Sequence, residues 1–415
     1  MRAAFQRPGF TRLFVGVAGS MLGDSLLLIV LAIWVKELTG SNGAAGLTFF
    51  WLALPSLVAP ALGWLVDRVR RRPFLIVANL LSALAVLPLL AVEGADDVWL
   101  IYLVATLYGV SFVMLPGGLN GLLKELLPTE LLVDANSSLA TVKEAFRLVG
   151  PLAGAALYGF VGAWVVVLID AASFLLAAAA IASIRLSERR PARPEQHWRR
   201  EVTAGVGHVW NDRVLRHSLV ALAITVLVIG FSESAVFAVV DAFEKPAEYV
   251  SVLVSIQGVG AIAAGFMTGR AVRAYGEVRV LEVSLVTLAG ALALTTAPTL
   301  PLVWLALFLF GLVLPPLIIA MNTLLQTRTP QRLMGRVSTA AELVLGGPQT
   351  LSIAVGAVLV TVLDYRLIFT VMAAVTLLSA GYLAATLGTG RPAVVELNEG
   401  DITEPSLPPE RLPHA

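Results

Sequence analysis

Long apolar runs alternate with short polar breaks along almost the whole chain. Against the ~20 residues a helix needs to cross a bilayer, twelve runs stand out. The first six lie near 13–35, 44–66, 74–92, 98–121, 137–161 and 164–184. The second six lie near 217–240, 249–269, 278–297, 300–322, 336–361 and 366–387. The pattern predicts an all-α membrane protein with an even number of spans, and hence both termini on one side. Arg2, Arg7 and Arg12 precede a first run too long for the apolar part of a signal peptide, so that run is expected to stay as a spanning helix.

Two stretches break the rhythm. Between spans 6 and 7, a Pro/Arg/Glu linker from Glu188 to Glu195 leads into Val202, Val206, Val209 and Trp210 on one face, suiting a helix on the membrane surface. Residues 388–415, rich in Pro and Glu, read as a disordered tail. The expected units are a bundle over 1–184, a linker over 185–216, a second bundle over 217–387 and the tail.

Composition agrees: 58% of residues are hydrophobic and 14% charged, more apolar surface than a soluble chain of this length could bury. Net charge is +1, so it does not point to nucleic acid. The placement of charge says more. Of 29 Lys and Arg, 24 fall in loops and tails on the side of the termini. Lys36, Lys245 and Arg366 fall on the other side, and Lys143 and Arg147 inside span 5. Basic loops stay cytoplasmic, which puts both termini in the cytoplasm and the chain in the cell inner membrane. With no cysteine, disulfides and thiol chemistry are excluded. His197, His208, His217 and His414 have no metal-ligand spacing, and no Walker or dinucleotide glycine pattern occurs. Neither an enzyme nor a cofactor or metal is expected, and ATP is not expected to drive the protein.

Shifting the chain by 202 residues superposes its landmarks. Gly63 falls on Gly265, Arg68 on Arg270, Gly109 on Gly311, Asn120 on Asn322, Pro128 on Pro330 and Gly154 on Gly356. The chain is therefore read as two six-helix, pseudo-symmetric halves in parallel repeat.

Between spans 2 and 3 stands a tight basic turn, Gly63-Trp64-Leu65-Val66-Asp67-Arg68-Val69-Arg70-Arg71-Arg72. Asp67 can pair there with arginine and with the positive end of a neighbouring helix. The turn resembles the loop signature of the major facilitator superfamily, Gly-x-Leu-x-Asp-Arg-x-Gly-Arg-Arg. Gly63, Leu65, Asp67, Arg68, Arg71 and Arg72 match, and Arg70 stands for the second glycine. In span 5, Gly150-Pro151-Leu-Ala-Gly154 resembles that superfamily's exporter signature, although a kink that only packs helices would read the same. Further stretches are similar to the macrolide-efflux branch of bacterial drug:proton antiporters. They are Arg12-Leu-Phe with Leu22-Gly-Asp24, Leu127-Pro with Glu130-Leu-Leu and Ala135-Asn136, and Glu201 to Arg216. The resemblance implies a major facilitator fold working as a monomer. It also implies proton-driven export of a hydrophobic or amphipathic drug or metabolite by alternating access, with Asp67 latching the halves. An exporter of an endogenous siderophore or secondary metabolite, or a lipid flippase or downhill facilitator, stays open beside it.

Ionisable groups inside spans are expensive and mark sites by default. Glu144 and Arg147 are expected to neutralise each other as an i,i+3 pair. Asp170 is expected to partner Arg147, and Glu342 to be either buried or facing the cytoplasm; Glu144, Arg147 and Asp170 are also candidates for proton coupling or substrate binding. Asp24 and Glu233 lack an evident cation and are expected to take protons or substrate. A local break at Gly23 capped by Asp24 is the structural alternative. In the resembled fold, spans 1, 4, 7 and 10 line the central cavity. That would bring Tyr108, Phe112, Asn120, Phe231, Phe237, Trp304, Phe310 and Asn322 toward a bulky ligand that aromatic faces and an acid can hold.

Overall fold

The computed structural model describes residues 2–66, 68–184, 186, 206–330 and 333–388. The first pass, α1 (Pro8–Thr39), starts with proline at its first position and ends at Gly40. Gly40 has a φ of 67°, and its N–H reaches the Lys36 carbonyl. The Ser41 side chain then accepts from the Ala44 N–H at 3.2 Å and starts the next pass at once. This second pass, α2, runs over Asn42–Ala53, tightens to a 3-10 turn at Pro55 and resumes over Ala59–Val66.

The rest of the first half is α3 (Arg71–Val86), α4 (Val98–Leu126), α5 (Thr129–Val161) and α6 (Ala163–Ala182). In the second half, α7 consists of Arg213–Ile229 and Ser232–Ala242, bent by 42°. It is followed by α8 (Tyr249–Tyr275), α9 (Glu277–Leu294), α10 (Leu300–Arg328), α11 (Met334–Val362) and α12 (Tyr365–Leu387). Among the described residues nine helices are long and apolar enough to cross a membrane, ten with the bent α7. The other two passes, α5 and α9, carry Lys143, Glu144 and Arg147, and Glu277, Arg279 and Glu282. Glu282 is buried on α9 and takes Arg279 at 2.9 Å, an i,i+3 pair not anticipated from the sequence.

Residues 206–211 are helical, and the expected apolar face is split. Val209 is buried in the second half's core, whereas Val206 and Trp210 are exposed. Val202 and the tail from 389 onward lie outside the described residues.

The 202-residue repeat holds in three dimensions. Gly109 on α4 crosses α2 so closely that a Cβ would sit 2.1 Å from the Leu52 carbonyl oxygen. Its counterpart Gly311 on α10 crosses α8 with a Cβ 1.8 Å from the Gln257 carbonyl oxygen. Gly154 meets the Leu26 carbonyl of α1 at 2.2 Å, and Gly356 meets the Phe231 Cα of α7 at 2.6 Å. Backbone this near backbone cannot yield as a side chain does, so a Cβ must push helices apart, at about 1–3 kcal/mol or more. Gly311→Ala is therefore expected to lower the thermal unfolding temperature of the detergent-solubilised protein. Gly290→Ala, with open space at its Cβ, should not; equal unfolding temperatures for both would refute the crossing.

The halves touch at the end opposite the termini, the far end, and at mid-depth. Lys36 Nζ of α1 lies 2.6 Å from Asp241 Oδ2 of α7, which also accepts from Asn42 at 3.0 Å. Phe237, Val240, Val250 and Leu253 of the second half are buried within the first half's apolar core. At mid-depth Ser255 on α8 donates to the Leu148 carbonyl of α5 at 3.2 Å. Nearer the terminal end, Lys143, Glu144 and Arg147 on α5 and Val259 and Ile262 on α8 are exposed. The space between the halves is closed at the far end and open toward the termini.

Candidate functional site

A cavity of about 610 Å³ occupies that space, lined mainly by apolar side chains of α1, α4 and α5, with α7 and α8 as the opposite wall. Its polar lining is sparse and includes Asp24, Tyr108, Asn120, Lys143, Arg147, Glu233 and Gln257. An apolar container with a few fixed polar groups suits a bulky amphipathic molecule.

Asp24 faces this cavity from an unbroken α1, so no cap at a break explains it. The Tyr108 hydroxyl donates to Asp24 Oδ1, and the Tyr108 hydroxyl oxygen lies 3.3 Å from Asp170 Oδ1. Asp170 on α6 is fully buried, and its Oδ2 has no hydrogen-bond partner among the described residues. A Cβ at Gly23 would fall 2.6 Å from Asp170 Oδ1, so that glycine gives the carboxyl its room.

Asp170 therefore does not partner Arg147. Arg147 instead takes Glu144 at 3.4 Å, with both side chains about half exposed at the cavity mouth. The pair is the self-neutralising one expected, and at that exposure it contributes little to stability.

Glu233 lies in the first turn of the second part of α7, just past the bend, where the helix N-terminus favours a negative charge. Its carboxyl lines the cavity opposite Asp24, with no ion-pair or side-chain hydrogen-bond partner among the described residues. Glu342 is exposed on α11.

Of the aromatic and amide candidates, Tyr108, Phe112 and Asn120 line the cavity. Phe231 packs at the α7 bend against Gly356, and Phe237 is part of the far-end plug. Trp304 donates to the Tyr249 hydroxyl at 3.1 Å, Phe310 packs against the second half's core, and Asn322 is exposed away from the cavity. The α10 residues fail to reach the cavity because α8 intervenes. Gly260 lets α8 approach α10 until a Cβ would sit 2.1 Å from the Phe308 carbonyl, while Val254, Gln257 and Gly258 of α8 form the wall.

In the basic turn, Asp67 lies outside the described residues. No described residue lies within 4 Å of a Cβ at Gly63, and the Arg68 guanidinium stacks on the Trp64 ring at 3.4 Å. Arg71 donates to the Val66 carbonyl, and Arg72 donates to the Ile181 and Ala182 carbonyls at 3.3 and 2.6 Å. These arginines close the ends of helices within the first half. Gly150 and Gly154, flanking Pro151, let α5 cross α1 at Ser25 and Leu26, next to Asp24 in the chain.

The bridging position of Tyr108 was not read from the sequence, yet the repeat carries a signal for it. At the 202-residue offset, Tyr108 and Asp170 correspond to Phe310 and Met372. Both counterparts belong to the apolar core of the second half or pack against it. The same places in the fold are satisfied by hydrocarbon, so the tyrosine–acid pair is not a requirement of packing.

A family model described as Major Facilitator Superfamily matches residues 13–349 and 239–408. Multidrug efflux pump Tap of Mycobacterium bovis is 28% identical over 353 residues, covering 81% of this chain and 83% of that protein. Macrolide efflux protein A of Streptococcus pyogenes is 26% identical over 180 residues, 43% of this chain and 44% of its own. Among solved structures, a variant of the nucleoside transporter NupG aligns with a TM-score of 0.77 at 14% identity, covering 91% of this chain and 99% of the other.

Proposed function

The chain belongs to the major facilitator superfamily, and we propose that it exports hydrophobic or amphipathic small molecules, drugs or metabolites, in exchange for protons. The observation that carries this reading is the pair of cavity acids on opposing halves, Asp24 on α1 and Glu233 on α7. Each faces an apolar space wide enough for an organic molecule. The similarity to two efflux proteins supports the direction of transport. By the bias of basic residues in the loops, we take the termini, and so the open mouth of the cavity, to face the cytoplasm from the cell inner membrane.

The geometry supports a cycle of exchange. Substrate enters from the cytoplasm and settles on the apolar wall, and a cationic or hydrogen-bonding group displaces the proton at Asp24. The halves then rock about the cavity, the far-end contacts part, and substrate leaves. A proton from outside reloads the acid and restores the inward-facing form. Exchange by mutual exclusion needs one carboxyl that either proton or substrate can occupy, and alternating access supplies its exposure to each side in turn. The chain is taken to work as a monomer, with Asp67 as part of the cytoplasmic latch.

Everted vesicles loaded with the protein test the reading. Uptake of a hydrophobic cationic dye should rise above its equilibrium level when the vesicle interior is acidified and fall back on adding an uncoupler. Uptake that reaches the same level with and without the gradient would instead mark a downhill facilitator.

A further inference from the structure

Tyr108 has one hydroxyl proton and touches two carboxyls. Its oxygen bonds Asp24 Oδ1 and lies 3.3 Å from Asp170 Oδ1. If that proton goes to Asp24, the contact with Asp170 sets oxygen lone pairs against each other unless Asp170 brings a proton of its own. Among the described residues no other donor relieves it: Asp170 has no exposed surface and its Oδ2 is unpartnered. The neighbouring Ser173 hydroxyl donates to the Asp170 backbone carbonyl at 2.7 Å instead of to the carboxyl. The cations of the site, Lys143 and Arg147 on α5, line the open cavity with Asp24, as does Glu233 on α7.

We propose that Asp170 is a neutral acid that donates to the Tyr108 oxygen, making Asp170, Tyr108 and Asp24 a relay that stores a proton behind the cavity wall. This rests on the reading of Asp24 as the coupling carboxyl and adds a positioning residue to it. With Asp24 ionised, the chain of bonds runs from Asp170 O–H to the Tyr108 oxygen and from Tyr108 O–H to Asp24. Transfer along it moves the Asp170 proton to Tyr108 as the Tyr108 proton moves to Asp24. Asp24 is then neutral, Tyr108 is unchanged in composition, and Asp170 is the acceptor. The reverse transfer restores the start, so no proton is gained or lost within the group. Asp24 can thus be kept neutral or ionised without water reaching α6, which lets substrate trade places with a proton in a cavity that closes dry. The second half supplies the contrast, because its Phe310 and Met372 can hold no proton at the positions equivalent to Tyr108 and Asp170.

Infrared difference spectroscopy on the purified, reconstituted protein tests this at a pH of about 8, where exposed carboxyls are ionised. A carbonyl band of a protonated carboxyl should be present in the wild type, retained in Asp24→Asn and absent in Asp170→Asn. Asp170→Met, which installs the residue of the equivalent second-half position, serves if the amide variant folds poorly. Tyr108→Phe removes the acceptor and should shift the band without abolishing it. In vesicles, Asp170→Asn and Tyr108→Phe should lose the gradient-driven component of dye uptake while keeping downhill uptake. A wild-type spectrum without such a band, or one unchanged by both Asp170 substitutions, overturns the proposal. So does a band lost with gradient-driven uptake intact, since Asp170 would then be neutral and idle. Uphill transport by Asp24→Asn would instead defeat the coupling reading, while the infrared result would still decide the proton on Asp170.

Discussion

Asp24→Asn is expected to abolish uphill transport while sparing the fold and the binding of neutral ligands. The amide oxygen can still accept from Tyr108, so the hydrogen bond that ties α1 to α4 is retained. What the substitution removes is the capacity to bind and release a proton and to carry a charge. A neutral substrate bound by the apolar wall should keep its affinity within about tenfold, a difference of about 1.4 kcal/mol. A cationic substrate should bind more weakly, because it loses its counter-charge in a space of low dielectric. Dye accumulation in acidified everted vesicles, measured beside binding by fluorescence quenching, separates these outcomes. A variant that still concentrates dye against its gradient would move coupling to Glu233, the cavity acid on the opposite half. Glu233→Gln is the companion measurement.

The spans were legible because a bilayer imposes length and apolarity on every pass, and the loops carry the orienting cations. The halves were legible because glycines at backbone crossings tolerate no replacement, so Gly109, Gly154, Gly311 and Gly356 keep the 202-residue register. Which side chains face the cavity was not legible. Helices hydrophobic all round have no polar face to mark an inward direction. Trp304 and Phe310 therefore looked like cavity residues until the packing of α8 against α10 showed otherwise. Asp170 was assigned to Arg147 because depth along a helix is readable from sequence and rotation about it is not. Asp24 and Glu233 were found because an unpaired acid in hydrocarbon is rare enough to be informative alone.

The second large effect is expected at the far end. Gly46 on α2 lies against Ser234 on α7, where a Cβ would fall 1.6 Å from the hydroxyl oxygen and 2.5 Å from Ser234 Cβ. Gly43 lies against α11, where a Cβ would fall 2.3 Å from the Ala357 carbonyl oxygen. Both contacts join the two halves, unlike Gly154, whose contact with Leu26 lies within the first half. A valine at Gly154 should therefore damage the bundle itself. A valine at Gly43 or Gly46 should instead be relieved by the halves swinging apart at this end. Overpacking of about 1–3 kcal/mol acting on one conformation alone corresponds to a shift of about 5- to 150-fold in the balance of states. The nearby Lys36–Asp241 pair joins the halves too, but the Asp241 side chain is 44% exposed. Such a pair is worth about 0–1 kcal/mol, so Lys36→Met should shift the balance far less than Gly46→Val. The chain has no cysteine, which makes a single introduced thiol a clean reporter. Val240→Cys places one on α7 where the side chain is 2% exposed among first-half residues. In that background, Gly46→Val should speed modification by an impermeant maleimide from the far side by about tenfold or more, with little change in unfolding temperature. Slow labelling with a lowered unfolding temperature would mean that α2 and α7 do not separate there, and that the far-end contact is part of a fixed core.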